Sequence, residues 1–169
     1  MAGEYLVDTN VFITAKNDFY AFDLAPGFWA KMKEQILKGR CCVIDAVDME
    51  IRDGKEEELV QWWLGIRKTY PDIIKRAKED EEVFFCYKGI AEMVYKDPVF
   101  AAREKARFLS RGDPWIIAAA KTWNMNLVTM EKMAGSGAKK VKIPDVCQRI
   151  GVTYMTPYNM MRDLGIKLF

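Results

Sequence analysis

The tightest constraint on how this 169-residue chain can fold is its alternation of short apolar, β-branched segments with long stretches of helical periodicity. EYLVD (4–8) reads as a first strand, and Asn10 to Ala15 as the start of a helix. PGFWAKMKEQILKG (26–39) is a well-marked helix, with Pro26 near its start, Phe28, Trp29, Met32, Ile36 and Leu37 on one face, and Gly39 at its end. CCVIDAV (41–47) reads as a second strand, with a short helical turn over DMEIRDG. Lys55 to Leu109 carries only helical signals, in three or four segments broken near Pro71 and Pro98. GDPWIIAAAKTWN (112–124) opens a helix, with Asp113 expected at the cap and Pro114 at the first helical position. NLVTMEK (126–132) is a third strand, VKIPDVCQRIG (141–151) a short strand or extended piece followed by a helix from Pro144, and VTYM (152–155) a last strand before a helix near Pro157. Strands separated by helices need right-handed crossovers, which cover both faces of a mostly parallel sheet. The expectation is an α/β domain over residues 1–169: three layers, α/β/α, with four to five strands and a helical insertion at 55–109.

Half of the residues are apolar and 30% charged, the balance of a soluble globular protein. No apolar run approaches the ~18 residues of a membrane span, and the start has an acid at Glu4 rather than a basic, leucine-rich signal. A cytoplasmic protein with no membrane partner is expected. Cys41, Cys42, Cys86 and Cys147 lie in apolar surroundings without CxxC spacing and are read as reduced core thiols. Histidine is absent, which removes Ser-His-Asp and Cys-His catalysis and HxH metal sites together. Any hydrolysis must then come from carboxylates with a metal, or from Lys or Cys. A net charge of +2 does not by itself argue for nucleic acid.

In a parallel sheet, ligands bind beyond the carboxyl ends of the strands. Four acids fall there: Asp8 at the end of strand one, Glu50 on the turn after strand two, Asp113 before the helix leading to strand three, and Glu131 just after strand three. Each has a plain alternative. Asp8 and Asp113 suit helix caps, and a lone Glu is ordinarily solvated. As a set, gathered without a cationic partner, they would repel one another and favour their neutral forms. A hard divalent cation resolves that conflict with oxygen ligands, and its bound water supplies the base that histidine would otherwise be. Phosphodiester hydrolysis is the chemistry this suits best.

These segments resemble a known family. YLVDTNVFI is similar to the opening of PIN-domain proteins, the ribonuclease fold of VapC-type toxins, whose first strand ends in D-[ST]-[NS]; VIDAVDMEI is placed like the segment carrying their second acid. GDPWIIAAAK is similar to their third-acid helix, D-x-x-[IL]-A-A, and NLVTMEK to the strand carrying the fourth acid. VTMEK followed by KVKIPDVC is closer to a PIN-like branch described as a domain of unknown function than to ordinary VapC proteins.

The resemblance spans essentially the whole chain. It implies Mg²⁺- or Mn²⁺-dependent cleavage of RNA by a nuclease, the toxin of a toxin–antitoxin pair, with Asp8, Glu50, Asp113 and Glu131 as catalytic, metal-binding acids. Asn10 and Thr129 become supporting polar neighbours, a co-encoded antitoxin the expected partner, and a homodimer a further assembly.

The fourth acid departs from the more usual Asp by one methylene. Arg107 and Arg111 before Asp113, and Lys132, Lys139 and Lys140 after Glu131, are candidate RNA-binding residues, with Arg103, Lys105 and Lys142 nearby. Trp62 and Trp63 could stack bases, but their helical spacing favours core packing. Asp45 and Asp48 do not share the helical face of Glu50 and are left out. The rival readings are a PIN-like protein- or nucleic-acid-binding module with little or no catalysis, and phosphoryl transfer through Asp8. The latter, in dehalogenase-like proteins, wants a second Asp where this chain has Asn10.

Overall fold

The chain's first strand, β1 (Tyr5–Val7), is the centre of the molecule: its three residues are buried on both faces, as an uninterrupted apolar run requires in a covered parallel sheet. A computed structural model describes residues 4–168, so the outermost residues of the expected domain lie outside it. β1 pairs in parallel with β2 (Cys41–Ile44) on one side and β4 (Asn126–Val128) on the other. β3 (Ile74–Lys75) adds to β2 and β5 (Tyr154–Met155) to β4, both parallel, which gives the order β3-β2-β1-β4-β5. The expected three-layer α/β/α fold is therefore present, with five strands and no antiparallel pair among the described residues.

Helices α1 (Thr9–Thr14) and α2 (Pro26–Leu37) connect β1 to β2; α3 (Asp45–Arg52) and α4 (Glu57–Thr69) connect β2 to β3. The return to the other side of β1 runs through α5 (Glu81–Lys96), α6 (Ala102–Leu109) and α7 (Asp113–Trp123), after which α8 (Ile143–Ile150) leads to β5 and α9 (Pro157–Asp163) follows. Strand order thus grows outward from β1 in one direction and then reverses at β4. Right-handed connections on the two halves must lie on opposite faces, so a crevice opens at the carboxyl ends of β1 and β4. Asp8 follows β1 there, and Thr129 follows β4.

α7 lies along α5 and β4, and its small face of Ala118, Ala119 and Ala120 is buried, which lets backbones approach closely. The helix ends at Asn124, left-handed at φ 52°, a cap conformation that Asn tolerates better than most residues. No helix among the described residues is long and apolar enough to cross a membrane.

Several local expectations are corrected. The second strand ends at Ile44, and Asp45 already begins α3, because its carboxylate accepts from the Ala46 N–H and starts the helical turn. The third strand ends at Val128, so Glu131 stands on the loop beyond it. Of the two alternatives for residues 141–142, the extended piece is found, Lys142 lying in the extended region without pairing as a strand, and α8 begins at Ile143. The stretch from 55 to 109 is not purely helical, since it contains β3. Two residues leave no periodic signal; β3 exists because Val43 and Ile44 present an open edge to Ile74 and Lys75.

Candidate functional site

Asp8 does two things with its two oxygens. As the N-cap of α1, its Oδ1 accepts from the Thr9 backbone N–H at 2.8 Å, while Oδ2 accepts from the Thr129 hydroxyl at 2.9 Å. Capping and participation in a wider site coexist in one carboxylate. Burial pushes its pKa well above the ordinary range, and the charges of Asp113, Glu131 and Glu50 push the same way; only the Thr129 hydroxyl pulls it down.

Thr129 is oriented by what it accepts. Its Oγ1 receives Asn10 Nδ2 at 3.3 Å and the Glu131 backbone N–H at 3.1 Å, so its single proton is directed at Asp8. Asn10 Oδ1 accepts in turn from the Met130 N–H at 3.0 Å. Asn10 and Thr129 therefore stitch the loop after β4 to the start of α1, the supporting place expected of them.

Glu50, on the last turn of α3, accepts from the Thr9 hydroxyl at 3.2 Å through Oε1. Burial pushes its carboxyl up, opposed by the Thr9 bond, by Arg111, by the Gly112 backbone N–H and by Lys78. Gly112 is where the backbone before α7 meets this side chain: a Cβ there would collide with Glu50 Oε1. Its φ of −72° suits any residue, so space, and not backbone freedom, demands the glycine.

Asp113 corrects a sequence expectation. Gly112 is the N-cap of α7, Asp113 is the first helical residue, and its carboxylate makes no capping bond. It is turned to the cleft instead, where burial, then Glu131 and Glu50, push its pKa up to about 7 against Arg111 and Lys142. Glu131 also lines this cleft, but its Oε2 accepts from the Ile143 N–H at 2.8 Å and satisfies the first amide of α8. Its other oxygen, Oε1, accepts from no group among the described residues.

One open cleft is thus lined by Asp8, Thr9, Asn10, Ile13, Glu50, Arg111, Asp113 and Glu131. All four expected acids are brought to it. Among the described residues, however, no three Asp, Glu, Cys or His side chains stand close enough together to hold an ion directly. The donor set is that of a hard cation, all carboxylate and hydroxyl oxygen, and Asp113 is free of capping. An ion of the Mg²⁺ kind, which keeps several waters, suits such a spread of acids better than one needing a closed cage.

A second pocket shares Arg111, Asp113 and Glu131 and adds Glu104, Arg107 and Lys142. Of the candidate RNA-binding residues, Arg107 and Arg111 reach this groove, and so does Lys142. Lys132, Lys139 and Lys140 are exposed and line neither pocket.

Sequence reasoning missed Thr9, Gly112 and Lys78. Thr9 could have been found, since its hydroxyl lies between two residues already singled out, whereas Gly112 has no signature beyond preceding an acid. Asp48 is rightly outside the site: buried, it accepts from Trp63 Nε1 at 2.8 Å and Arg52 Nε at 3.0 Å and pairs with Arg67 at 3.0 Å. Trp63 is fully buried and Trp62 packs on Phe12, Phe22 and Trp29, as their spacing indicated. All four cysteines are free thiols, and burial pushes Cys41 and Cys147 up to about 12, which makes them unreactive.

The sequence matches the family described as Domain of unknown function (DUF4411) over residues 5–168. No curated protein matches it. The chain belongs to the DUF4411 family.

Proposed function

We propose that this member of the DUF4411 family is a PIN-like, divalent-metal-dependent ribonuclease. The observation that carries the reading is the gathering of Asp8, Glu50, Asp113 and Glu131 on one cleft at the β1/β4 crevice, where two of them are pushed toward their neutral forms by burial and by one another. A cleft that lines itself with four carboxylates and raises the pKa of its buried ones is relieved when a cation shares it.

Asp8, Glu50 and Asp113 would hold Mg²⁺ or Mn²⁺, with Glu131 reaching it directly or through water. When bound, such an ion supplies a hydroxide at neutral pH and steadies charge on a phosphoryl oxygen. The chain's own groups do the rest. Thr129 holds Asp8 in one rotamer and pulls against the upward push of burial on its carboxyl, and Asn10 holds Thr129. Thr9 and Gly112 hold Glu50 against the start of α7. Arg111, on the wall shared by both pockets, offers a forked donor to a scissile phosphate, and Arg107 and Lys142 extend that contact along the backbone. On this reading the cellular role is that of a toxin checked by a co-encoded antitoxin, in the cytoplasm.

The test is cleavage of labelled RNA with Mn²⁺. Asp8→Asn and Asp113→Asn are expected to lower the rate by at least about a hundredfold, the scale on which the loss of a group stabilising transition-state charge is felt. EDTA is expected to do the same. Undiminished cleavage by both variants defeats the proposal.

A second reading, a PIN-like protein- or nucleic-acid-binding module with little or no catalysis, is favoured by two observations. Among the described residues no three acids close on a single point, and Glu131 is engaged by α8. Calorimetric titration with Mn²⁺ separates the readings, since a wild-type protein that takes up no ion belongs to the second.

A further inference from the structure

One face of the molecule, made by α5, the 3-10 turn Ala77–Glu79 and one side of α7, carries rings and lysines that the acidic cleft does not use. Tyr87 and Trp115 stack with centroids 4.0 Å apart and planes 10° from parallel. Phe84 lies beside this pair, nearly parallel to both rings, 6.3 Å from Tyr87 at 13° and 6.2 Å from Trp115 at 17°. It is 45% exposed, and its neighbour Phe85 75%.

Lysines stand over these rings. Lys88 lies 5.0 Å from the centroid of Phe84, Lys78 lies 5.7 Å from that of Trp115, and Lys75 lies 5.6 Å from that of Trp123. Trp115 and Trp123, eight residues apart, fall on one face of α7. Among the described residues none of the three lysines is in a salt bridge. Glu81 and Glu82, the acids of the first turn of α5, line a neighbouring cleft with Phe85, Cys86, Lys121 and Thr122, and Asp80 accepts from Trp123 Nε1 at 3.0 Å.

The face leads to the acids. Trp115 is in the first turn of α7, which Asp113 begins. The Lys78 N–H donates at 3.0 Å to Asp45, the first residue of the helix that carries Glu50, and its ammonium is near enough to pull the Glu50 carboxyl down.

Aligned rings, half-buried at Tyr87 and Trp115 and exposed at Phe84, beside lysines in no salt bridge among the described residues are what single-stranded nucleic acid needs: every base has a π-face, and every phosphate a charge. A surface for a protein partner would instead keep charge away from its apolar centre. We propose that this face binds single-stranded RNA, with bases stacking on exposed Phe84 beside the Trp115–Tyr87 pair and phosphates taken by Lys75, Lys78 and Lys88, and that it delivers the strand to the acidic cleft. The inference rests on the ribonuclease reading for the identity of the strand. The lysines now over the rings would move to the backbone as bases replace them.

The test is fluorescence anisotropy of a labelled ten-nucleotide 2′-O-methyl RNA with the full chain in EDTA, so that no cleavage contributes. Saturable binding is expected, at least about tenfold tighter than to a duplex of the same sequence. Phe84→Ala is expected to raise Kd at least about fivefold, the lower end of what loss of one stacking ring does. The Lys78→Gln, Lys88→Gln double variant is expected to flatten the dependence of log Kd on log salt by about 1.4, at ~0.7 per phosphate released. Phe84→Leu, which keeps apolar bulk without a π-face, must behave like Phe84→Ala.

Absent binding, equal affinity for the duplex, or a Kd unchanged in both the ring and the lysine variants overturns the proposal and leaves the rings to a protein partner. The two readings fail separately. Binding with these properties but no Mn²⁺-dependent cleavage defeats only the ribonuclease reading; cleavage with binding indifferent to these substitutions defeats only this one.

Discussion

Thr129 has one proton to give and two lone pairs to fill, and all three are used: Asp8 receives, while Asn10 and the Glu131 amide donate. Valine has nearly the same shape and none of these functions. Thr129→Val should cost about 1–3 kcal/mol in urea unfolding, because buried partners are left unpaired. Gly112→Ala acts through space: the methyl pushes Glu50 Oε1 off its position, and Mn²⁺ affinity measured by calorimetry should fall about 10–100-fold, as when other supports of a metal ligand are removed. Asp113 makes stability depend on pH. Its carboxyl, held at about 7 in the metal-free protein, keeps a proton that its unfolded counterpart loses near ~3.9. Between those values the native state binds more protons than the unfolded one, so stability falls as pH rises. In EDTA, Tm should drop between pH 5 and 7.5, Asp113→Asn should flatten that drop and raise Tm at pH 7.5 by about 2–4 °C, and a pH-independent Tm in the wild type would contradict the sign.

At the scale of elements, α3 holds two acids with opposite fates. Asp48 is enclosed by Trp63, Arg52 and Arg67, while Glu50, two residues on, faces the cleft. Asp48→Ala leaves the buried Trp63 N–H without an acceptor and releases two arginines that are partly exposed and so partly solvated, and should cost about 1–3 kcal/mol, whereas Glu50→Gln should leave stability intact or raise it while abolishing Mn²⁺ uptake. Thermal melts with and without Mn²⁺ distinguish the two. This difference was legible in the sequence, since residues two apart on a helix cannot share a face. So were the four cleft acids, three of them after a strand and Asp113 at the start of the helix that leads to one. Asp113 misled because Asp-Pro reads equally well as cap and first helical residue; only the backbone before it decides that Gly112 takes the cap and frees the carboxylate. Gly112 and Lys78 were out of reach for a different reason: their importance lies in distant side chains that they meet only after folding. The two-residue β3 belongs to the same class, since its neighbour and not its own residues make it a strand.

For the whole molecule, the order β3-β2-β1-β4-β5 was legible only as a parallel sheet with crossovers; which strand lies at the centre was not, because apolar runs report burial and not neighbours. β1 is held on both sides, and one of those sides comes from the far part of the chain, where Tyr5 pairs with Asn126. A protein ending at Trp123 would lack β4, β5 and Glu131. It should show no cooperative thermal transition and no Mn²⁺ uptake. The same long-range pairing governs the protein's birth. Asp8 leaves the ribosome early, but its hydroxyl partner Thr129 and the strand beside it emerge only after roughly 6–25 s more of synthesis, at ~5–20 residues per second. Throughout that interval the nascent chain has three of its four cleft acids at most and no closed sheet to align them. If the protein cuts RNA, it does so only after it has almost finished being read from one.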